Sequence, residues 1–99
     1  MAFVQIIEMQ TSRIDEVQKL MDGWVAATKG KRTAHRAVLA QDRDRPGTYV
    51  QIVEFPSFEE AMANSALPET SNVAEQMEKL CDGPAGFRNL DVVWVDDLS

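Results

Sequence analysis

The chain has 99 residues, 44% hydrophobic and 26% charged, a composition typical of one globular domain over residues 1–99 rather than of a disordered segment. Its 16 acidic residues outnumber 10 basic ones, and the net charge of −6 argues against a nucleic-acid partner. One cysteine and one histidine cannot build a zinc site, so we expect no metal and no cofactor. The lone cysteine fits a cytoplasmic protein, and no apolar run is long enough for a membrane span.

Polar–apolar alternation predicts four strands, and helical periodicity predicts two helices, the second interrupted at Pro68. In chain order we predict a strand over 2–10, a helix over 13–28, strands over 34–42 and 48–55, a helix from Ser57 to about Ala66 that resumes over 70–82, and a strand over 87–96. Pro46-Gly47 predicts the hairpin turn, and Ser57 with Glu60 forms a capping box. The β-α-β-β-α-β order predicts an α+β, ferredoxin-like fold with a four-stranded antiparallel sheet and its helices on one face.

Alternate strand positions divide the predicted sheet into two faces of different polarity. The first face is almost wholly apolar: Val4, Ile6, Val38, Ala40, Val50, Ile52, Leu90, Val92 and Trp94. We expect the helices to cover this face and form the core with it.

The second, mixed face is too apolar for water and too polar for a dry core. It carries Phe3, Gln5, Ile7, Met9, His35, Ala37, Leu39, Tyr49, Gln51, Val53, Phe55, Asn89, Asp91, Val93 and Val95. This mixture predicts a homodimer in which a second copy covers the face and encloses a cavity for a small hydrophobic or aromatic molecule. A half-wet dimer interface without a ligand is the alternative.

The segment Val53-Glu54-Phe55-Pro56-Ser57-Phe58-Glu59-Glu60-Ala61 places an acid and an aromatic residue at a strand end, followed by a serine and a Glu-Ala helix start. Together with the element order, it resembles the dimeric α/β-barrel superfamily and, within it, the antibiotic-biosynthesis-monooxygenase-like domains. The resemblance implies a dimeric α/β barrel and, in part of the family, cofactor-free oxygenation of polycyclic phenols. Haem-degrading relatives carry a histidine in the later helix, whereas residues 57–82 contain none.

A cofactor-free oxygenase must hold an electron-rich aromatic molecule, favour its deprotonated form and exclude water. On the mixed face we predict His35 as the base, Tyr49 as a catalytic hydrogen-bond donor, and Asp91 as a second base or orienting group. We expect substrate contacts from Gln5, Gln51, Phe55, Asn64, Ser65 and Asn89.

These residues also have structural interpretations, because a strand-end histidine is often solvated and a tyrosine often packs at an interface. Two functions therefore stay open on sequence alone. One is a metal-free oxygenase or isomerase of a small aromatic molecule. The other is a non-catalytic ligand-binding or stress-associated homodimer.

Overall fold

The computed structural model describes residues 2–99. In chain order its elements are β1 (Phe3–Gln10), α1 (Ile14–Ala27), β2 (Arg36–Gln41), β3 (Thr48–Phe55), α2 (Phe58–Ser65), α3 (Pro68–Leu80) and β4 (Gly86–Asp91). The strands form one antiparallel sheet in the order β2-β3-β1-β4. The predicted α+β, ferredoxin-like architecture is confirmed, with the broken second helix present as α2 and α3. Within residues 2–99, no helix is long and apolar enough to cross a membrane.

Local sequence signals explain where the elements of the second half begin. The Ser57 hydroxyl accepts a hydrogen bond from the Glu60 backbone N–H at 3.1 Å, which caps the start of α2 as predicted. Pro68 occupies the first turn of α3, where its missing N–H leaves no bond unmade. Gly47 has a φ of +81° in the β2–β3 turn, a conformation that glycine adopts without a steric penalty.

The helices pack on the mixed face of the sheet, so the prediction that they cover the apolar face is wrong. Phe3 and Phe55 of the mixed face are each 2% exposed, and the Phe3 ring lies 5.5 Å from the ring of Phe58 on α2. The Gln51 amide nitrogen lies 3.0 Å from the Met21 sulfur on α1. Both faces of this sheet carry many apolar side chains, so polarity alone does not identify the face beneath the helices.

The opposite face of the sheet, which we call the free face, has no covering layer in residues 2–99. Its apolar members are Val4, Ile6, Val38, Ala40, Val50, Ile52 and Leu90, and none of them is buried. Two ion pairs flank them, Arg36 with Glu54 at 3.5 Å and Arg45 with Glu8 at 2.9 Å. The free face is therefore an apolar centre between charged margins.

The last strand is shorter than predicted, because the sheet offers no neighbour for its second half. The Val92 N–H still donates to the Ala2 carbonyl at 2.9 Å. Since β1 starts at Phe3, residues 93–98 then leave the sheet. Trp94 is 72% exposed, which corrects its predicted place in the core.

Candidate functional site

A cavity of about 510 Å³ lies between the mixed face of the sheet and the helices. From the sheet it is lined by Gln5, Ile7, Met9, Ala37, Gln51, Val53, Phe55 and Phe87, and from the helices and the following loop by Met21, Trp24, Asn64, Ser65, Thr70, Ser71, Val73, Ala74, Met77, Glu78, Cys81, Gly83, Pro84 and Ala85. Its size falls within the ~300–1,000 Å³ of typical small-molecule pockets. One chain forms this cavity by itself, with one side open to solvent, so the predicted location between two sheets is corrected.

Sulfur-containing and aromatic side chains dominate the apolar part of the wall. Met9 is buried beneath the cavity, while Met21 and Met77 approach it from α1 and α3. Trp24 and Phe55 contribute aromatic surface. Methionine is flexible and polarisable and packs well against rings, so this wall suits a flat aromatic molecule.

Two glutamine amides project from the centre of the sheet into this apolar wall. Gln51 donates its Nε2 hydrogen to the Met21 sulfur at 3.0 Å, and Gln5 donates its Nε2 hydrogen to Asn89 Oδ1 at 3.4 Å. Both contacts use the amino half of the amide. The carbonyl oxygens of Gln5 and Gln51 therefore remain available as acceptors for a ligand.

Asn64, near the end of α2, is the most deeply buried polar side chain on the wall, with 5% of its surface exposed. Its Oδ1 accepts a hydrogen bond from the Thr33 backbone N–H at 3.2 Å, and this bond fixes the orientation of the amide. Within residues 2–99, Nδ2 has no protein acceptor, and no buried polar side-chain atom is sealed off without a partner. Nδ2 is therefore an oriented donor that is open to the cavity.

A hydrogen bond between α1 and α3 orders the polar end of the helix wall. The Trp24 indole N–H donates to the Thr70 hydroxyl at 2.9 Å. The Arg32 guanidinium lies 6.0 Å from the centre of the Trp24 ring, within cation–π range. Because the Thr70 oxygen accepts from Trp24, its O–H is free to donate toward the cavity.

The cavity wall carries very little charge. Glu78 is the one carboxylate among the lining residues, and none of them is lysine, arginine or histidine. Burial, and secondarily the neighbouring Asp82 carboxylate, raises the pKa of the Cys81 thiol. The thiol is therefore protonated at neutral pH, and the wall offers hydrogen bonds rather than a nucleophile or a cation.

Most of the predicted substrate contacts lie together on this wall. Five of the six predicted residues line it: Gln5, Gln51, Phe55, Asn64 and Ser65. The sixth, Asn89, lies behind Gln5 and accepts its hydrogen bond. Strand parity therefore grouped Gln5, Gln51, Phe55 and Asn89, although the cover of their face was misjudged, and Asn64 and Ser65 reach the wall from α2.

The three predicted catalytic residues do not line the cavity, and each lies near the end of a strand or just before it. His35 is exposed before β2, and its backbone N–H donates to the Glu54 carbonyl at 3.0 Å. Tyr49 is half-buried near the start of β3, and Asp91 is the exposed last residue of β4. The structure does not bring these three side chains together.

Sequence reasoning expected Asn64 and Ser65 of α2 but missed the contribution of α1 and α3 to the wall. Thr70, Val73, Met77 and Cys81 follow one another at helical spacing and all line the cavity. Such a stripe resembles an ordinary core face. The polar Thr70 at its head was the available signal that the stripe borders a cavity.

Comparison with solved structures covers almost the whole fold. A protein of Caulobacter crescentus CB15, provisionally assigned as an antibiotic biosynthesis monooxygenase, matches with a TM-score of 0.81 over 94% of this chain and 91% of its own, at 14% identity. SnoaB from Streptomyces nogalater, a cofactor-independent oxygenase, gives 0.79 over 95% of each chain, at 14% identity. The chain has the fold of the antibiotic biosynthesis monooxygenase domains.

Rv0793 from Mycobacterium tuberculosis shares this monooxygenase fold over 100% of both chains, with a TM-score of 0.76 and 17% identity. No family model and no curated protein matches the sequence. At these identities the likeness is one of fold. The chemistry that such a fold supports depends on the side chains of its cavity. Residues 2–99 contain no cluster of three or more acidic, histidine or cysteine side chains that could hold a metal ion.

Proposed function

We propose that the protein is a cofactor-independent monooxygenase that oxidises a small phenolic aromatic molecule inside this cavity. The observation that carries the proposal is Asn64, a buried amide whose donor half is open to a largely apolar cavity. A hydrogen bond in such surroundings favours the ionised form of a phenol, because water does not compete for the oxygen. The likeness in fold to SnoaB supports this class of reaction.

The reaction needs only the substrate and O₂. The ionised substrate gives one electron to O₂, the substrate radical and superoxide join through a new carbon–oxygen bond, and the hydroperoxide takes up the released proton. Loss of water then leaves a ketone, so one CH₂ group and one O₂ become one C=O group and one H₂O. Asn64 stabilises the phenolate oxygen, and the apolar wall reduces the contact of the reacting carbon with water.

We assign the first proton transfer to Glu78 rather than to His35, Tyr49 or Asp91. Glu78 lies on α3 and lines the cavity, whereas the other three side chains do not. The proton that Glu78 accepts returns to the substrate peroxide before water leaves. Glu75 on the same helix is exposed, as Glu78 is, but does not line the cavity, so Glu75→Gln is a matched control for Glu78→Gln.

Oxygen uptake with anthrone as the substrate tests the proposal. Anthrone and O₂ give anthraquinone and water, and we expect the protein to accelerate uptake above the rate in buffer. Ala74→Trp should abolish the excess, because Ala74 lines the cavity and an indole there takes up the substrate's space. Ala63→Trp on the exposed side of α2 should leave it intact. Uptake equal to the buffer rate across a panel of anthrones and hydroquinones would count against the proposal.

A second function, ligand binding without chemistry, is favoured by one observation. The lining residues include no histidine or lysine, the side chains that most often act as bases near neutral pH. A binding protein would hold anthrone in the absence of O₂, respond to Ala74→Trp in affinity, and leave oxygen uptake at the rate in buffer.

We further propose that the protein is a homodimer joined through the free face, which completes a dimeric α/β barrel. The apolar centre of that face is half-exposed in the single chain, and charged margins surround it, as in many protein interfaces. Packing the same face of two copies against each other gives a closed two-fold assembly. We expect this dimer to act in the cytoplasm, since its one cysteine has no partner within the chain.

A further inference from the structure

The cavity runs along α3, and backbone contacts fix its two ends at opposite ends of β1. At the first end, Asn64 accepts from the Thr33 N–H, and the chain two residues later bonds to the Glu54 carbonyl, opposite the start of β1. At the second end, the Asp82 N–H donates to the carbonyl of Gln10, the last residue of β1, at 2.8 Å. The cavity therefore follows the length of the sheet rather than its width.

The helix wall gives the length of the cavity. Thr70 in the first turn of α3 and Cys81 at its C-cap both line the cavity. At a rise of about 1.5 Å per residue, they are about 16 Å apart along the helix. Val73, Ala74 and Met77 lie between them at helical spacing and line the same cavity. A ligand that fills this space is therefore elongated.

The polarity of the wall changes along this length. The first end carries four uncharged polar side chains: Asn64, Ser65, Thr70 and Ser71. Toward the second end the wall is apolar apart from the exposed Glu78, and it includes Met9, Met77, Cys81, Pro84, Ala85 and Phe87. A ligand that matches both ends is polar at one end and apolar at the other.

Phe87 shows that the second end has apolar surface left to bury. Its side chain lines the cavity and is nevertheless 62% exposed. It lies opposite Ile7 on β1, which also lines the cavity. Met77 on α3 is half-buried, and its flexible side chain can adapt to a ligand of variable shape. An apolar group bound here would remove the Phe87 ring from water.

We propose that the second end of the cavity is a subsite for a linear hydrocarbon chain, so that the substrate is a phenol with an alkyl or alkenyl side chain. The phenolic oxygen binds at Asn64, and the chain lies along α3 toward Cys81 and Phe87. The phenolic head rests on the function proposed above, and the chain subsite adds the class of substituent that the head carries. No lysine, arginine or histidine lines the cavity, so the hydrocarbon chain ends without a carboxylate.

Anaerobic titration calorimetry with resorcinol and its ethyl, butyl and hexyl derivatives tests the chain subsite. These four ligands share one phenolic head and differ in the length of the chain. A fully buried CH₂ group strengthens binding about fourfold, and this cavity is open on one side, so we expect about two- to fourfold for each added CH₂. Affinities for resorcinol and hexylresorcinol within twofold of each other overturn the inference.

A matched pair of variants locates the chain within the cavity. Phe87→Ser should weaken the binding of hexylresorcinol by about fivefold or more and leave that of resorcinol within twofold. Val25→Ser is the control, because Val25 is an exposed apolar residue of α1 that does not line the cavity, and it should change neither affinity more than twofold. Circular dichroism confirms that both variants fold. A chain-length dependence that Phe87→Ser leaves intact, or that both variants reduce alike, places the chain elsewhere and overturns the subsite.

Oxygen uptake separates the failure of this inference from the failure of the proposed function. Accelerated uptake with anthrone, together with affinities that do not depend on chain length, overturns the chain subsite and leaves the oxygenase standing. Uptake at the rate in buffer overturns the oxygenase, and the titrations then decide the chain subsite on their own.

Discussion

Replacing Asn64 by alanine tests the two halves of its amide through two different measurements. The first is stability, because the substitution leaves the Thr33 N–H without its acceptor. An unsatisfied buried donor costs about 1–3 kcal/mol, and Thr33 is half-buried, so we expect about 1 kcal/mol. In a domain of this size that loss lowers Tm by about 4–8 °C, which a calorimetric scan resolves.

The second measurement is affinity, because the same substitution removes the donor that faces the cavity. A hydrogen bond to a charged oxygen contributes about 1.5–3 kcal/mol, so anaerobic titration calorimetry with anthrone at a pH that ionises it should show a loss of about ten- to 150-fold. Asn72→Ala is the control, since Asn72 is exposed on α3 and does not line this cavity. Equal affinities of the two variants within twofold would refute the role of Asn64.

Asn64→Asp distinguishes the donor from the acceptor. The introduced carboxyl can still accept from the Thr33 N–H, but its ionised form has no proton to donate. Burial raises the pKa of a carboxyl group, so the protonated form, which does donate, returns as the pH falls. Affinity of this variant for neutral anthrone should therefore rise toward acidic pH, while that of the unchanged protein should not. A flat profile for Asn64→Asp would argue against donation at this position.

Two further predictions concern stability. Gly23→Ala should raise the free energy of unfolding in urea by about 0.5–1 kcal/mol, because Gly23 lies inside α1 and a Cβ there meets no atom within 4 Å. Gly47→Ala should lower it by about 1–2 kcal/mol, because φ is +81°; changes of the same sign in both variants would contradict this reasoning. Hydrogen bonds from the Asp44 backbone and then the Arg45 side chain hold the pKa of Asp42 below its ordinary value of 3.8. A lowered carboxyl pKa stabilises the folded state above the unfolded value, and this stabilisation is lost as the pH falls through and below 3.8. Asp42→Asn should therefore flatten the acid limb of a Tm-versus-pH curve, and curves that run parallel at acidic pH would count against the ionised Asp42.

The sequence carried enough information for the fold because its signals are local. The capping box at Ser57, Pro68 at the first turn of α3 and Gly47 in the hairpin each act within a few residues. The end of β4 was misjudged because strand formation there depends on a neighbour. Val93 and Trp94 favour a strand, but among residues 2–99 the last backbone bond between this segment and the N-terminal strand is that from Val92 to Ala2.

The candidate site was predictable in its sheet half and at Asn64 and Ser65 of α2, but not where α1 and α3 line it. Period-two alternation groups Gln5, Gln51 and Phe55 on one face without any knowledge of what covers them. Which layer covers that face depends on the packing of distant segments. Strand parity also explains why His35 was wrongly expected at the cavity. Parity predicts which face of the sheet a residue lies on, but it does not predict whether the residue lies near a cavity on that face.

The cavity itself follows from where the large buried side chains between the sheet and the helices lie. Phe3 and Phe55 fill one end of the space between sheet and helices, and Met9 and Val17 fill the other, all of them 2% exposed or less. These four act as spacers that hold the helices away from the strand centres, where the shorter or polar side chains leave room. Because the spacers belong to one chain, the cavity does not require the dimer. Ile52→Asp places a charge on the free face and should separate the two copies, but it should retain anthrone binding. Loss of both the dimer and the binding would show that the second copy shapes the site.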